Sequence, residues 1–202
     1  CTANRRAIVD TRVYDEFCGE LVAETGRTRC GDPLEPETEA GPLLSDAACR
    51  RVAAVLERAR ESADSILAPH AATPAFGELQ EAGAYHPPTL VLGAERSSEI
   101  VAEETFGPVL VVQRAADFPE ALALCNGVPQ GLVAALFGGS AEQRRSFLEQ
   151  VRAGVLKIDE ATADADAFAP FGGWKASGIG PPEHGPGARE FFTRSQAVYG
   201  AT

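Results

Sequence analysis

Apolar positions along the chain change period several times, and each change marks an element. Ala7-Ile8-Val9 is a short apolar run, and Asp10 and Thr11 after it are good helix caps. Tyr14, Phe17, Cys18, Leu21 and Val22 follow at helical spacing, with Gly26 placed to end that helix. Arg29 to Pro42 is polar and Pro-containing, the composition of a loop. Ser45 can cap a second helix whose stripe is Val52, Val55, Leu56 and Ala59. Residues 68 to 88, with four Pro and two Gly, predict loops and a short hairpin. Leu90-Val91-Leu92 and Val109-Leu110-Val111-Val112 read as short strands. Asp117 and Glu120 resemble a capping box for a helix with Pro119 in its first turn and Leu122 and Cys125 inward. Val133 to Phe137 predicts a strand. Ser140 and Gln143 form a second capping box, before a helix with the stripe Phe147, Leu148 and Val151 and a C-terminal cap at Gly154. Val155 to Ile158 predicts another strand. Ala197-Val198-Tyr199 is a last apolar group, expected to pair with a strand outside this chain.

Strands alternating with helices imply an α/β fold, an open sheet with crossover connections. The 202 residues suffice for one large domain or two small ones, and 45% hydrophobic content suffices for a sizeable core. Net charge is 18 − 29 = −11, which argues against nucleic acid as a partner. No apolar run approaches the roughly 20 residues of a membrane span, and no charged-then-apolar leader is visible. The expected setting is therefore cytoplasmic, without a membrane partner. Met is absent and the first residue is Cys1, so a processed or partial chain is expected. Arg outnumbers Lys 16 to 2 and Ala is 35, the bias of a GC-rich bacterial genome. The five Cys are odd in number and lack a CxxC, which suggests reduced thiols and neither a disulfide framework nor a zinc site.

Three segments could carry chemistry. Cys1 is a thiolate candidate with Arg5 and Arg6 close in sequence. The residues alone favour a buried structural thiol; a processed N-terminal nucleophile of an amidohydrolase, using its own amine as base, is a further functional reading. Glu103-Glu104-Thr105-Phe106-Gly107-Pro108 sets two acids and an aromatic before a turn and a strand; a solvated turn is the alternative. Pro170-Phe171-Gly172-Gly173-Trp174-Lys175-Ala176-Ser177-Gly178 has paired glycines that permit close backbone approach. His70, His86 and His184 lie in Pro- or Gly-rich loops without metal-ligand spacing and read as exposed loop residues. Asp159, Glu160, Asp164 and Asp166 read as a solvated acidic loop, so no metal site is expected.

Taken together, these segments resemble the aldehyde dehydrogenase superfamily. Cys1-Thr2-Ala3-Asn4-Arg5-Arg6 resembles its nucleophile segment, and Glu39-Ala40-Gly41-Pro42-Leu43 its Gly-Pro-Leu turn. Glu103 to Val109 resembles its Glu-Glu-x-Phe-Gly-Pro-Val motif, and Pro170 to Gly178 its Pro-Phe-Gly-Gly-x-Lys-x-Ser-Gly motif. The four stand in the family's order across the whole chain. The resemblance implies an α/β catalytic domain over residues 1–190, with a C-terminal tail or oligomerisation strand over 191–202. It implies NAD- or NADP-dependent oxidation of a small-molecule aldehyde to an acid, in an enzyme assembled as a homodimer or homotetramer. Cys1 would be the thiolate, Glu104 a ligand of the nicotinamide ribose, Phe106 a residue packed near the cofactor, and Phe171 part of the aldehyde tunnel. The family's cofactor-binding domain, general-base glutamate, oxyanion-hole asparagine and cofactor-holding lysine precede its nucleophile, so these 202 residues alone are expected to be inactive. A remnant that only associates with partner subunits is the other reading of such a fragment.

Within the superfamily, Ala153 to Asp159 and the tail Glu183-His184-Gly185…Phe191-Phe192-Thr193 most resemble α-ketoglutaric semialdehyde dehydrogenases. Asp159 stands where the family usually has Asn. Ala161 and Asp164 stand where that subfamily has Pro and Gly. The loop Asp159 to Phe168 would border the tunnel mouth, and its carboxylates are expected to repel a dianionic substrate.

Overall fold

Aliphatic residues that suit a pleated, buried surface build the larger of two sheets. It contains β1 (Arg6–Asp10), β2 (Ser65–Leu67), β3 (Thr89–Leu92) and β4 (Val109–Ala115), in the order β1-β4-β3-β2. β4 runs parallel to both β1 and β3, while β2 is antiparallel to β3. The computed structural model describes residues 1–69 and 74–200. These divide into two units, Asn4–Leu124 and Cys1–Ala3 with Cys125–Thr202.

In the first unit, α1 (Tyr14–Thr25) and α2 (Asp46–Ala59) supply much of the apolar cover. Tyr14 and Cys18 join Val9 and Val112 in a buried cluster, with Leu21 packed against it. These positions share one helical face, and Phe17 falls beside it, 37% exposed, rather than within it. α1 starts at Val13 without a side-chain cap. Asp10, expected as a cap, instead accepts from the Arg12 amide and guanidinium. The Ser45 cap is present: its Oγ accepts from the Ala48 N–H, and Val52, Leu56 and Ala59 are buried below it.

Residues 74–82, expected as loop or hairpin, form helix α3 (Pro74–Ala82). Pro is compatible with a first helical position, and Glu78-Leu79-Gln80-Glu81 are good helix formers. Two further elements lack a strong sequence pattern, the strand β2 and the one-turn helix α4 (Glu99–Ala102), which buries Ile100 and Val101. α5 (Phe118–Asn126) opens with Asp117 Oδ1 accepting from the Glu120 N–H. The Glu120 carboxylate accepts from Ala116 N–H, one residue earlier than a strict capping box. Leu122 and Leu124 are buried, and Cys125 is half-buried.

The second unit is built on a smaller sheet. β5 (Val133–Leu136) and β6 (Val155–Ile158) pair in parallel, joined by α6 (Ala141–Gln150). The Ser140–Gln143 capping box is complete, and Phe147 and Val151 are buried. Leu148 is 53% exposed, correcting its place in the stripe. α6 ends at Val151, not at Gly154. Gly154 serves a different need: a Cβ there would lie 1.7 Å from the Gly172 carbonyl oxygen. The final α7 (Ala188–Phe192) leads to an extended tail. Among the described residues this tail joins no strand, and Val198 and Tyr199 are exposed. Among the described residues, no helix is long and apolar enough to cross a membrane.

Candidate active site

Cys1 is the exposed thiol of the five; Cys18 is buried and the other three are half-buried. Burial, then Glu39, pushes the Cys30 thiol up. Burial, then Asp46, does the same to Cys49, with Arg50 opposing. A raised pKa leaves less thiolate at neutral pH, so both are poor nucleophiles. In the same unit as Cys1, the Thr2 carbonyl accepts a 2.6 Å hydrogen bond from Thr162 Oγ1. The acidic loop therefore touches the chain next to Cys1.

That loop is pinned at its base. Asp159 has φ 55, a left-handed conformation that Asn and Asp tolerate better than other side chains. Its Oδ1 accepts from the Gly138 N–H at 2.7 Å, and its Oδ2 meets Arg144 Nη2 at 2.7 Å. Asp159 is exposed, as expected of a solvated acidic loop, but its charge is paired with Arg144. Lys157 Nζ donates to the carbonyls of Ala163 and Asp164. Asp166 Oδ1 accepts from the Phe168 N–H.

Phe171 is half-buried, and its ring lies 5.5 Å from the His184 ring, tilted by 33°. His184 is half-buried, and its Nδ1 is buried without a hydrogen-bond partner, so the exposed-loop expectation is corrected there. It is corrected at His86 also, half-buried with Nδ1 2.9 Å from the Pro87 carbonyl. His70 lies outside the described residues. Further along the chain, a Cβ on Gly178 would lie 2.0 Å from the Gly173 carbonyl oxygen, so this loop folds back on its own backbone. Lys175 has φ 54 and donates to the carbonyls of Val128 and Asn126 at 2.7 and 3.3 Å, tying the loop to the end of α5.

Glu104 and Phe106 belong to the other unit. Both are exposed on the segment between α4 and β4. Phe106 has φ 53 and is 68% exposed, an unusual conformation for a bulky side chain. Arg5 Nη1 holds the start of this segment, donating to Val101 O at 3.0 Å and Glu103 O at 3.2 Å. Burial lowers the Arg5 pKa, and Glu104 and Glu103 push it back up. Arg6 Nη1 donates to the Gln113 side-chain oxygen and the Leu124 carbonyl.

The roles of Thr162, Arg144, Lys157 and Arg5 have no signal in the sequence, because their partners are fixed by the fold. An open depression of about 480 Å³ lies among Glu24, Thr25, Arg27, Thr28, Arg29 and Glu39. It holds no candidate residue, and its arginines are already paired with Glu24, Glu37 and Glu39. Among the described residues, no three His, Cys, Asp or Glu side chains gather as metal ligands.

The profile of the aldehyde dehydrogenase family matches residues 1–198. The chain belongs to the aldehyde dehydrogenase family. It is 33% identical over 199 residues to aminoacetaldehyde dehydrogenase of Pseudomonas aeruginosa, covering 98% of this chain and 38% of that one. It is also 33% identical over 200 residues to α-ketoglutarate semialdehyde dehydrogenase of Haloferax volcanii, covering 98% and 41%. Two relatives named for different aldehydes therefore share the same identity with this chain. Betaine aldehyde dehydrogenase of Staphylococcus aureus, solved in complex with NAD+, superposes with a TM-score of 0.82 at 26% identity, over 93% of this chain and 37% of that one. The α/β reading is thereby met. The chain spans about two-fifths of the length of the curated aldehyde dehydrogenases it matches.

Proposed function

We propose that these residues are part of an NAD- or NADP-dependent aldehyde dehydrogenase that converts a small-molecule aldehyde to its acid. The observation that carries this is the family match from residue 1 to 198, which begins at an exposed cysteine in a Cys-Thr-Ala segment. The Cys1 thiolate adds to the aldehyde carbon, and its sulfur-to-carbon bond holds the substrate while hydride departs. Water then cleaves the thioester, releasing the acid and restoring the thiolate. The nicotinamide cofactor, when bound, supplies the hydride acceptor.

Glu104, an exposed carboxylate, suits a ribose hydroxyl. Phe106, an exposed ring held at positive φ, suits the face of a cofactor. Phe171, backed by His184, lines the passage of the aldehyde. Residues 1–190 serve as the catalytic domain. Residues 191–202 serve as an oligomerisation tail in a cytoplasmic homodimer or homotetramer, a reading supported by the exposure of Phe192, Val198 and Tyr199.

The test uses the complete polypeptide that carries these residues. Cys1→Ser is expected to abolish aldehyde-dependent reduction of NAD or NADP, followed by nicotinamide absorbance, because a hydroxyl is scarcely ionised at neutral pH. Wild-type turnover in that variant would remove Cys1 from the chemistry. Glu104→Gln is expected to raise the cofactor KM and leave the aldehyde KM near wild type.

A further inference from the structure

We infer that Thr162 is a positioning residue for the nucleophile, acting through the Thr2 carbonyl. This inference rests on the role proposed for Cys1. Thr162 Oγ1 donates to Thr2 O at 2.6 Å, across 160 positions of sequence. Cys1 and Thr2 are adjacent, so their Cα atoms lie about 3.8 Å apart and a constraint on the Thr2 carbonyl limits where Cys1 can stand.

A hydrogen bond positions only if its donor is itself held. Thr162 is β-branched, which restricts the direction of its hydroxyl. The loop that carries it is fastened on both sides of Thr162. On the N-terminal side, Asp159 bonds the Gly138 N–H and pairs with Arg144. On the C-terminal side, Lys157 reaches back from β6 to the carbonyls of Ala163 and Asp164. The parallel pair β5–β6 therefore holds Lys157 and Asp159, these hold the loop, and the loop holds the chain next to the thiol.

The consequence is geometric. Attack on a carbonyl needs sulfur and carbon brought to roughly 3–3.5 Å with aligned orbitals, and small displacements of the nucleophile are costly in rate. Thr162 touches no reacting atom, so its effect falls on the Cys1 segment and the aldehyde half of the reaction. Glu104 and Phe106, and with them the cofactor KM, are left alone.

The experiment compares Thr162→Val, which keeps the shape and loses the hydroxyl, with Thr162→Ser, which keeps the hydroxyl. Both are made in the complete polypeptide. Thr162→Val is expected to lower kcat roughly tenfold, the order one neutral hydrogen bond supplies, with an unchanged cofactor KM. The second-order rate of Cys1 alkylation by iodoacetamide should shift away from wild type in the same variant. Thr162→Ser should return both quantities to within about twofold of wild type. Should Thr162→Val fail to fold, Thr162→Ala carries the same expectation without placing a methyl against the carbonyl.

Wild-type kcat and alkylation in Thr162→Val overturn the inference, as does a Thr162→Ser variant impaired as deeply as Thr162→Val. Retained aldehyde oxidation in Cys1→Ser would instead overturn the nucleophile assignment. The alkylation rate still tests the Thr162 contact in that case.

Discussion

The two units reach order by different means. Asn4–Leu124 buries aliphatic side chains on a four-stranded sheet, with Ile100, Val52, Val91 and Val112 at 2% exposure or less. In the unit containing Cys125–Thr202, every residue of β5 and β6 is only half-buried. Its loops are instead joined backbone to backbone, at Gly154 against Gly172 and Gly178 against Gly173, and by side chains that seize carbonyls. Side-chain burial tolerates no loss of volume, whereas close backbone packing tolerates no gain. The loop-built unit is also the one that holds Cys1 and Phe171, the residues proposed to meet the aldehyde.

The largest test of this contrast adds a single methyl. Gly154→Ala sets a Cβ 1.7 Å from the Gly172 carbonyl oxygen, and no flexible side chain is there to yield. A loss of about 4 kcal/mol is expected, read from the urea unfolding midpoint. A loss below about 1 kcal/mol would mean that these two strands of backbone separate easily.

Next comes removal of volume in both units. Ile100→Ala should cost about 3 kcal/mol in the same measurement, since the side chain is 2% exposed. Leu156→Ala, on the half-buried β6, should cost about half as much. Equal losses would erase the distinction.

The smallest expected effect is a slope. Burial pushes His86 below the ordinary imidazole value of 6.5, partly offset by its bond to the Pro87 carbonyl. A lower folded pKa means that the unfolded chain binds the proton first as pH falls. The stabilisation is thus present above 6.5 and lost as pH drops through the folded pKa. His86→Asn should flatten the fall in unfolding free energy between about pH 7.5 and about pH 5.5. An unchanged slope would place the titrating group elsewhere.

Much of this architecture is legible from local pattern. The Ser45 cap and the Ser140–Gln143 box declare themselves because their partners are near in sequence, and the runs at 90–92, 109–112 and 155–158 because short aliphatic runs suit strands whatever they pair with. α3 hides because its Pro and Gly content imitates a loop. α4 hides because four residues cannot show a helical period. Gly154 fits a helix cap by spacing, but a contact with Gly172 decides its role. In the candidate site, Cys1, Glu104, Phe106 and Phe171 emerge from motif resemblance. Thr162 and Arg144 stay silent, since nothing near them in sequence reveals a carbonyl 160 positions away or a carboxylate beyond the next strand. The acidic loop is legible as charge but not as pairing.

The chain has two lysines, Lys157 and Lys175, and both direct their amines onto backbone carbonyls. This makes them natural reporters. An acylating reagent must wait for an ammonium to release its carbonyls before it can react, so each lysine records how often its own loop opens. With no other lysine in these residues, two modified peptides would give two separate clocks, one for the loop that carries Thr162 and one for the loop that carries Phe171.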